Sequence, residues 1–318
     1  MSGFALNRYA IGEALAVLRT VPDGTFDCCV TSPPYWGLRD YHGHKQQIGL
    51  ESSPQKCVAK LVKVFREVRR TLRDDGTLWL NLGDSYAGSP GGFQGKNGRR
   101  ASRTFTARID LTKRGPGLKP KDLVGFPWMV AFALREDGWW LRSEVIWHKP
   151  NPQPESVADR PTKAHEQVFL FSKSRSYYYD ADAVKEPVSG TAHARGNGLN
   201  PKARAMERGE SKQNSSFSAA VSGLVEQRAM RDVWTIPSQP YTGAHFATMP
   251  AELAKRCILA GSRERGGVLD PFLGSGTVGQ VAESLGRRWF GVELASEYEP
   301  LIRARTAQTG LSFAEAAE

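Results

Sequence analysis

The chain has 318 residues, 40% of them hydrophobic and 24% charged, enough for one substantial core with a smaller appended region. No run approaches the about 18 consecutive apolar residues of a membrane-spanning helix, and no basic-then-apolar leader opens the chain. The four cysteines have neither a disulfide framework nor a metal-ligand spacing, so no metal is expected and a reducing cytoplasm fits, while the net charge of +10 favours a polyanionic partner.

Residues 4–31 read as strand, turn, helix, loop and strand, with the helix after Gly12-Glu13. In the second strand Phe26, Cys28 and Val30 point one way, and Asp27, Cys29 and Thr31 the other. That strand feeds Thr31-Ser32-Pro33-Pro34-Tyr35-Trp36. The two prolines fix φ and remove two backbone donors, leaving a rigid turn at a strand's carboxyl end. It displays one hydroxyl, free carbonyls and an aromatic face, which suits gripping a flat, amino-bearing ring. A stiff loop whose aromatics merely cover the core fits the same residues.

Ser53-Pro54 opens a helix running to about Leu72, with apolar residues at helical spacing. Arg73-Asp74-Asp75-Gly76 reads as a turn and Thr77–Leu82 as a buried strand, so the rhythm is βαβ and the sheet parallel. Residues 86–121 carry nine basic residues against the single acid Asp110, in a stretch rich in Gly and Ser. Such a loop either tracks phosphates or is simply solvated. A helix over Val124–Leu134, strands over Trp139–Trp147 and Gln167–Phe171, and a further strand at Tyr177–Asp180 follow. Residues 190–231 are polar and without periodicity. Then come a helix over Pro250–Ala260, a strand over Gly267–Asp270, a helix from Thr277 to about Leu285, a strand over Arg288–Glu293 and a terminal helix from Glu297.

Strand, Gly-x-Gly turn, helix and a strand ending in an acid make a nucleotide-type βαβ unit. Gly274 and Gly276 permit positive φ and close approach of a ligand, and the helix from Thr277 points its first amides there. Glu293 is placed to accept from a ribose diol. Gly279 completes GxGxxG, so a dinucleotide site also satisfies the pattern. Asp270-Pro271-Phe272 ahead of the first glycine favours another adenosyl ligand.

Thr31-Ser32-Pro33-Pro34-Tyr35 early and Asp270-Pro271-Phe272-Leu273-Gly274-Ser275-Gly276-Thr277 late resemble the amino-group DNA methyltransferases of the β arrangement, in which the catalytic motif precedes the cofactor motif. The resemblance implies an α/β class I methyltransferase fold, Rossmann-like and mostly parallel, with permuted strand order and irregular recognition inserts. It implies S-adenosyl-L-methionine as cofactor and Ser32, Pro33, Pro34 and Tyr35 as the catalytic turn. It places Thr31, Asp270, Phe272, Gly274, Ser275, Gly276, Thr277 and Glu293 around the cofactor. Glu13, where the family usually has Asp, would reach the adenine; His245 and Phe246, if not mere packing ahead of a helix, would line the methionine end.

The same resemblance divides the chain into a catalytic half over 1–172, a target-recognition region over 173–233 and a cofactor half over 234–318. The expected substrate is duplex DNA, touched by Trp36, Arg99, Arg100, Arg103, Lys113 and Arg114. Ser at position 32 leans toward cytosine N4, with adenine N6 as the alternative and an RNA or protein methylase as a more distant one. A non-catalytic nucleic-acid-binding module is argued against by the intact Gly274, Gly276 and Glu293. A cognate restriction enzyme is a candidate partner, no membrane is expected, and the chain would act in a bacterial or phage-infected cytoplasm as monomer or homodimer.

Overall fold

The computed structural model describes residues 4–37, 44, 46–87, 117–155, 157–187, 227–238 and 249–314, with side chains to 307. The expectations for Arg99, Arg100, Arg103, Lys113 and Arg114, and for His245 and Phe246, lie outside the described residues. The chain divides into two compact units, Met1–Asp180 with Asp232–Glu318, and Ala181–Arg231.

The first unit is built on strands β1 (Arg8–Ile11), β2 (Phe26–Thr31), β3 (Leu72–Leu82), β4 (Trp140–His148) and β5 (His165–Ser172). The short ribbon of β6 (Glu186–Pro187) and β7 (Gln227–Arg228) belongs to the second unit, where Glu186 accepts from both Arg228 and Arg231. The first unit resumes with β8 (Val233–Thr235), β9 (Gly267–Asp270) and β10 (Arg288–Glu293). Its sheet has eight strands in the order β1-β10-β9-β2-β3-β5-β4-β8. The first five are mutually parallel, β5 runs antiparallel between β3 and β4, and β8 lies parallel to β4. The mostly parallel α/β class expected is therefore the one observed. Among the described residues no helix is long and apolar enough to cross a membrane, and no cluster of His, Cys, Asp or Glu could hold a metal.

Every residue of β2 is buried, so its alternation separates two buried faces, as a parallel strand sandwiched between helices requires. Helix α1 spans Ala14–Leu18, α2 Pro54–Thr71 and α3 Phe126–Glu136. Helix α2 starts as its sequence dictates. The Ser53 side chain accepts from the amide of Lys56, Pro54 sits in the first turn, and Arg69 and Arg70 face the negative end of the helix dipole. Its buried stripe includes Leu61, Phe65 and Val68, which pack in the same core as Leu78 and Leu80 of β3 and Phe126 and Val130 of α3.

Two local expectations are corrected. Arg73–Gly76, turn-like in composition, is part of β3; the step from Phe26 to Cys28 on β2 spans Leu72 to Thr77 on β3, so these residues are accommodated as a bulge. Tyr177–Asp180 forms no strand. Its backbone is spent elsewhere, with the Tyr178 amide on the Asp75 carbonyl at 2.9 Å and the Asp180 amide on the Ala260 carbonyl at 2.9 Å.

The two ends of the sequence meet in the sheet. Strand β1 pairs with β10 from Arg8 opposite Phe290 to Ile11 opposite Glu293. Asn7 exchanges bonds with Trp289, and the Gly12 amide donates to the Glu293 carbonyl at 2.8 Å. The remaining helices are α4 (Ala251–Gly261), α5 (Thr277–Ser284) and, after a short 3-10 turn, α6 (Glu299–Ala314). Helix α5 lies close enough to β10 that a Cβ on Gly279 would come 2.9 Å from the Trp289 ring. The third glycine of the GxGxxG pattern is thus a packing glycine. Gly279→Val should overpack this contact and lower stability by about 1–3 kcal/mol, read as a lower midpoint in thermal unfolding.

Candidate active site

Two neighbouring strands, β9 and β2, end side by side, and their last residues touch. Thr31 closes β2 and Asp270 closes β9. The buried Thr31 hydroxyl donates to Asp270 Oδ1 at 2.6 Å, and the same oxygen accepts the Phe272 amide at 3.0 Å. Burial pushes the Asp270 carboxyl up to about 7 despite these two bonds. Thr31 is fully buried, and its hydroxyl is engaged with Asp270.

Beyond Asp270 the chain makes its glycine turn. Gly274 and Gly276 both hold left-handed backbone, with φ of 56° and 88°. The reasons differ. A Cβ on Gly276 would come within 3.3 Å of the Ile302 backbone on α6. A Cβ on Gly274 would meet nothing nearer than the Phe272 carbonyl oxygen at 4.0 Å, so this face of the turn opens onto free space. Glu293, at the end of β10, holds the turn from the other side: its Oε2 accepts the Gly274 amide at 2.7 Å and its Oε1 the Ala295 amide at 2.8 Å. Burial raises its pKa.

The other residues expected here are spread more widely in role. Glu13 follows β1, beside Glu293, and both of its oxygens cap α1 by accepting the amides of Leu15 and Ala16 at 3.0 and 2.7 Å. Phe272 packs against the core, 6.5 Å from the Phe65 ring. Ser275 is half-buried in the turn. The Thr277 hydroxyl, buried at the head of α5, accepts from Arg305 of α6.

On the β2 side, the Ser32-Pro33-Pro34-Tyr35 turn is gathered by hydrogen bonds from two further strands, β3 and β5. Ser32 Oγ and the Tyr35 hydroxyl are 3.0 Å apart, and Tyr35 donates to Glu166 Oε2 at 2.9 Å. Asn81 of β3 places its Nδ2 2.8 Å from both the Tyr35 oxygen and Glu166 Oε2, and 3.4 Å from Ser32 Oγ. Glu166 of β5 is in turn paired with Lys149, which follows β4 and lies 4.3 Å over the Trp147 ring. A Cβ on Gly83 would come 2.6 Å from the Tyr35 ring, so the backbone there lies against it.

From sequence, Asn81 and Gly83 carry no signal toward this turn, and the segments holding Lys149 and Glu166 resemble the family near its DNA face without an assigned chemistry. Asn81 stands out only as the one amide-bearing side chain in the apolar run Leu78–Leu82. Near this cluster burial lowers the pKa of Lys163 and of His165.

Trp36 is a correction. It is 2% exposed, its Nε1 donates to the Glu51 carbonyl at 2.8 Å, and it packs in the core with Ile48 and Val58. A residue buried this way cannot line a DNA surface. Cys28 and Cys29 are also fully buried, with burial raising both thiols well above their ordinary values, so neither is a thiolate nucleophile.

Residues 26–304 match the N6_N4_Mtase family model, described as DNA methylase. The Type II methyltransferase M.SmaI of Serratia marcescens is 45% identical over 295 residues, covering 93% of this chain and 89% of that protein. M.Cfr9I of Citrobacter freundii, another Type II methyltransferase, is 46% identical over 287 residues, covering 90% and 83%. Among solved structures, a putative DNA modification methylase of Thermus thermophilus, complexed with S-adenosyl-L-methionine, aligns with a TM-score of 0.58 at 25% identity over 95% of this chain and 93% of that one. The cytosine-N4-specific PvuII DNA methyltransferase aligns with a TM-score of 0.62 at 18% identity over 95% and 89%, a likeness of fold.

The raised Asp270 pKa has a stability consequence with a definite sign. Between the unfolded value of 3.8 and about 7 the folded state holds a proton the unfolded state has lost, so stability falls as pH rises through this window. Asp270→Asn keeps an oxygen for Thr31 and Phe272 and removes the buried charge. Its stability relative to the parent chain, measured by urea unfolding, should rise on going from pH 5 to pH 8.

Proposed function

The chain belongs to the DNA methylase family, and on that premise we propose that it methylates cytosine at N4 in duplex DNA, as the modification enzyme of a Type II system. The observation that carries this reading is the Ser32 hydroxyl, a neutral acceptor at the carboxyl end of β2, one residue from the Thr31–Asp270 contact that joins it to the glycine turn. Open α/β sheets bind their ligands at such strand ends.

S-adenosyl-L-methionine supplies an electrophilic methyl group on a sulfonium sulfur. The residues present fit it. Gly274 leaves the room a ligand needs, Glu293 has carboxylate lone pairs beyond its two amide bonds, and Glu13 stands at the end of the adjoining strand. The substrate base is turned out of the helix at a cost of a few kcal/mol in stacking and pairing, and the Tyr35 ring stacks on it. Ser32 Oγ and the Pro33 carbonyl accept the two hydrogens of the exocyclic amine. Its lone pair, otherwise drawn into the ring, is then localised and aimed at the methyl carbon. The gain is orientation together with fixed dipoles favouring the positive charge that develops on nitrogen. After the N–C bond forms and the C–S bond breaks, the amine is acidic enough to release its proton to water. No enzyme nucleophile takes part, in keeping with the buried thiols of Cys28 and Cys29.

Residues 1–172 and 234–318 act as the catalytic and cofactor halves, 173–233 as the target-recognition region, and the basic stretch over 86–121 as the phosphate-binding one. The encounter takes place in the cytoplasm, with a restriction enzyme of the same sequence specificity as functional partner. Adenine N6 is the second reading, because both amines offer two hydrogens to the same acceptors.

Mapping of modified bases in DNA from cells expressing the chain tests the proposal. N4-methylcytosine at one recurrent sequence is expected; N6-methyladenine there would replace the first reading by the second. The double variant Ser32→Ala with Tyr35→Ala should abolish transfer while S-adenosyl-L-methionine affinity, measured by calorimetry, stays within about threefold.

A further inference from the structure

Ser32 can serve as an acceptor only if its own proton points away from the amine. A hydroxyl left to itself rotates to suit its neighbours and can as readily donate. The structure contains a chain of groups that decides the matter.

At its far end is Lys149, whose ammonium has protons to give and none to take. Next is the Glu166 carboxylate, which in this ion pair is an acceptor only. Both side chains are largely buried, with 20% and 16% exposure, so the pair is less screened than one at the surface. Tyr35 carries one proton, and at 2.9 Å from Glu166 Oε2 that proton goes to the carboxylate. The Tyr35 oxygen is then left as an acceptor. Of the pair at 3.0 Å, Ser32 must be the donor, and its proton is directed to Tyr35. Asn81 reinforces the same polarity. Its Nδ2 faces the oxygens of Tyr35, Glu166 and Ser32, and the reversed amide would set a carbonyl against the carboxylate.

We infer that Glu166, held by Lys149, is a positioning residue that sets the direction of the hydroxyl chain, so that Ser32 presents lone pairs to the substrate amine. Lys149 donates to Glu166, Tyr35 donates to Glu166, Ser32 donates to Tyr35, and the substrate amine donates to Ser32. The inference rests on Ser32 being the amine acceptor. It adds a second duty for Tyr35, whose ring meets the base while its hydroxyl relays orientation. It also gives Glu166 a part in transfer without contact with either substrate.

The test uses the full chain, single-turnover methyl transfer from labelled S-adenosyl-L-methionine to duplex DNA bearing the mapped site, and separate measurements of cofactor and DNA affinity. Glu166→Gln puts an amide where the acceptor-only group stood. It should slow transfer about tenfold or more with both affinities within about twofold of the parent chain. Tyr35→Phe keeps the ring, breaks the relay and should lose a similar factor. In the Tyr35→Phe background, Glu166→Gln should cost less than about a further twofold, because the two act through one path.

A Glu166→Gln protein that transfers at the parent rate, that loses cofactor binding along with rate, or whose loss multiplies independently with that of Tyr35→Phe overturns the inference. Should Glu166→Gln not fold, Tyr35→Phe alone decides, and parental rate there overturns it as well. Ser32→Ala separates the two levels. A fast Ser32→Ala defeats the reading of Ser32 itself, while a slow Ser32→Ala beside a fast Glu166→Gln defeats only the positioning role.

Discussion

The hydrogen bond from Thr31 to Asp270 is the contact on which the site depends. It is buried away from solvent, and it joins the last residues of two adjacent parallel strands. On one side the chain goes into the proline turn with Ser32 and Tyr35. On the other it goes into the glycine turn that Glu293 holds through the Gly274 amide. A hydrogen bond to a charged partner in such a place contributes about 1.5–3 kcal/mol, less than the burial of the carboxylate costs without it. What the bond secures is geometry: neither turn can shift without disturbing the other.

The opposite end of the same strand pair is held too. Asp27, near the start of β2, is 5% exposed. It accepts the Gly267 amide at the start of β9 at 2.9 Å and a guanidinium nitrogen of Arg263 at 3.0 Å. Arg263 also bonds Asp75 in the bulge of β3 and lies 4.2 Å over the Tyr178 ring. The two strands are thus fastened by a charged clamp at their amino ends and a hydroxyl–carboxylate contact at their carboxyl ends. Between the fasteners only apolar side chains and the two cysteines intervene, so slippage of the pair by one residue would break both.

Much of this could be read from the sequence, and what could not has physical causes. The helices were legible because their caps and spacing are local: Ser53 caps α2 and Pro54 sits in its first turn. The family was legible because two short motifs in a set order carry it. Residues with a second structural job were less so. Trp36, beside the proline turn, could from sequence either shape a base pocket and touch DNA or simply pack, and its ring fills the core. Glu13 looked like a ligand and also caps a helix. The Arg73–Gly76 stretch has turn composition, but a bulge asks for the same residues. Glu166 lies in a segment that resembles the family near its DNA face, but no chemistry could be assigned to it from sequence, because it meets Tyr35 across 131 residues of chain and only after β5 has inserted antiparallel beside β3.

The pairing of β1 with β10, and of β2 with β9, has a meaning for how the protein comes into being. A chain made from its amino end exposes β1, and the edge of β2 that β3 does not cover, long before β10 and β9 exist, since those strands lie beyond residue 266. Contacts this distant in sequence are slow to form, and unpaired strand edges are adhesive while they wait. The contact between the proline turn and the glycine turn is therefore assembled late. The two turns can meet only after the segment beyond residue 266 has been made, so the geometry that joins Ser32 to the glycine turn belongs to a late stage of folding.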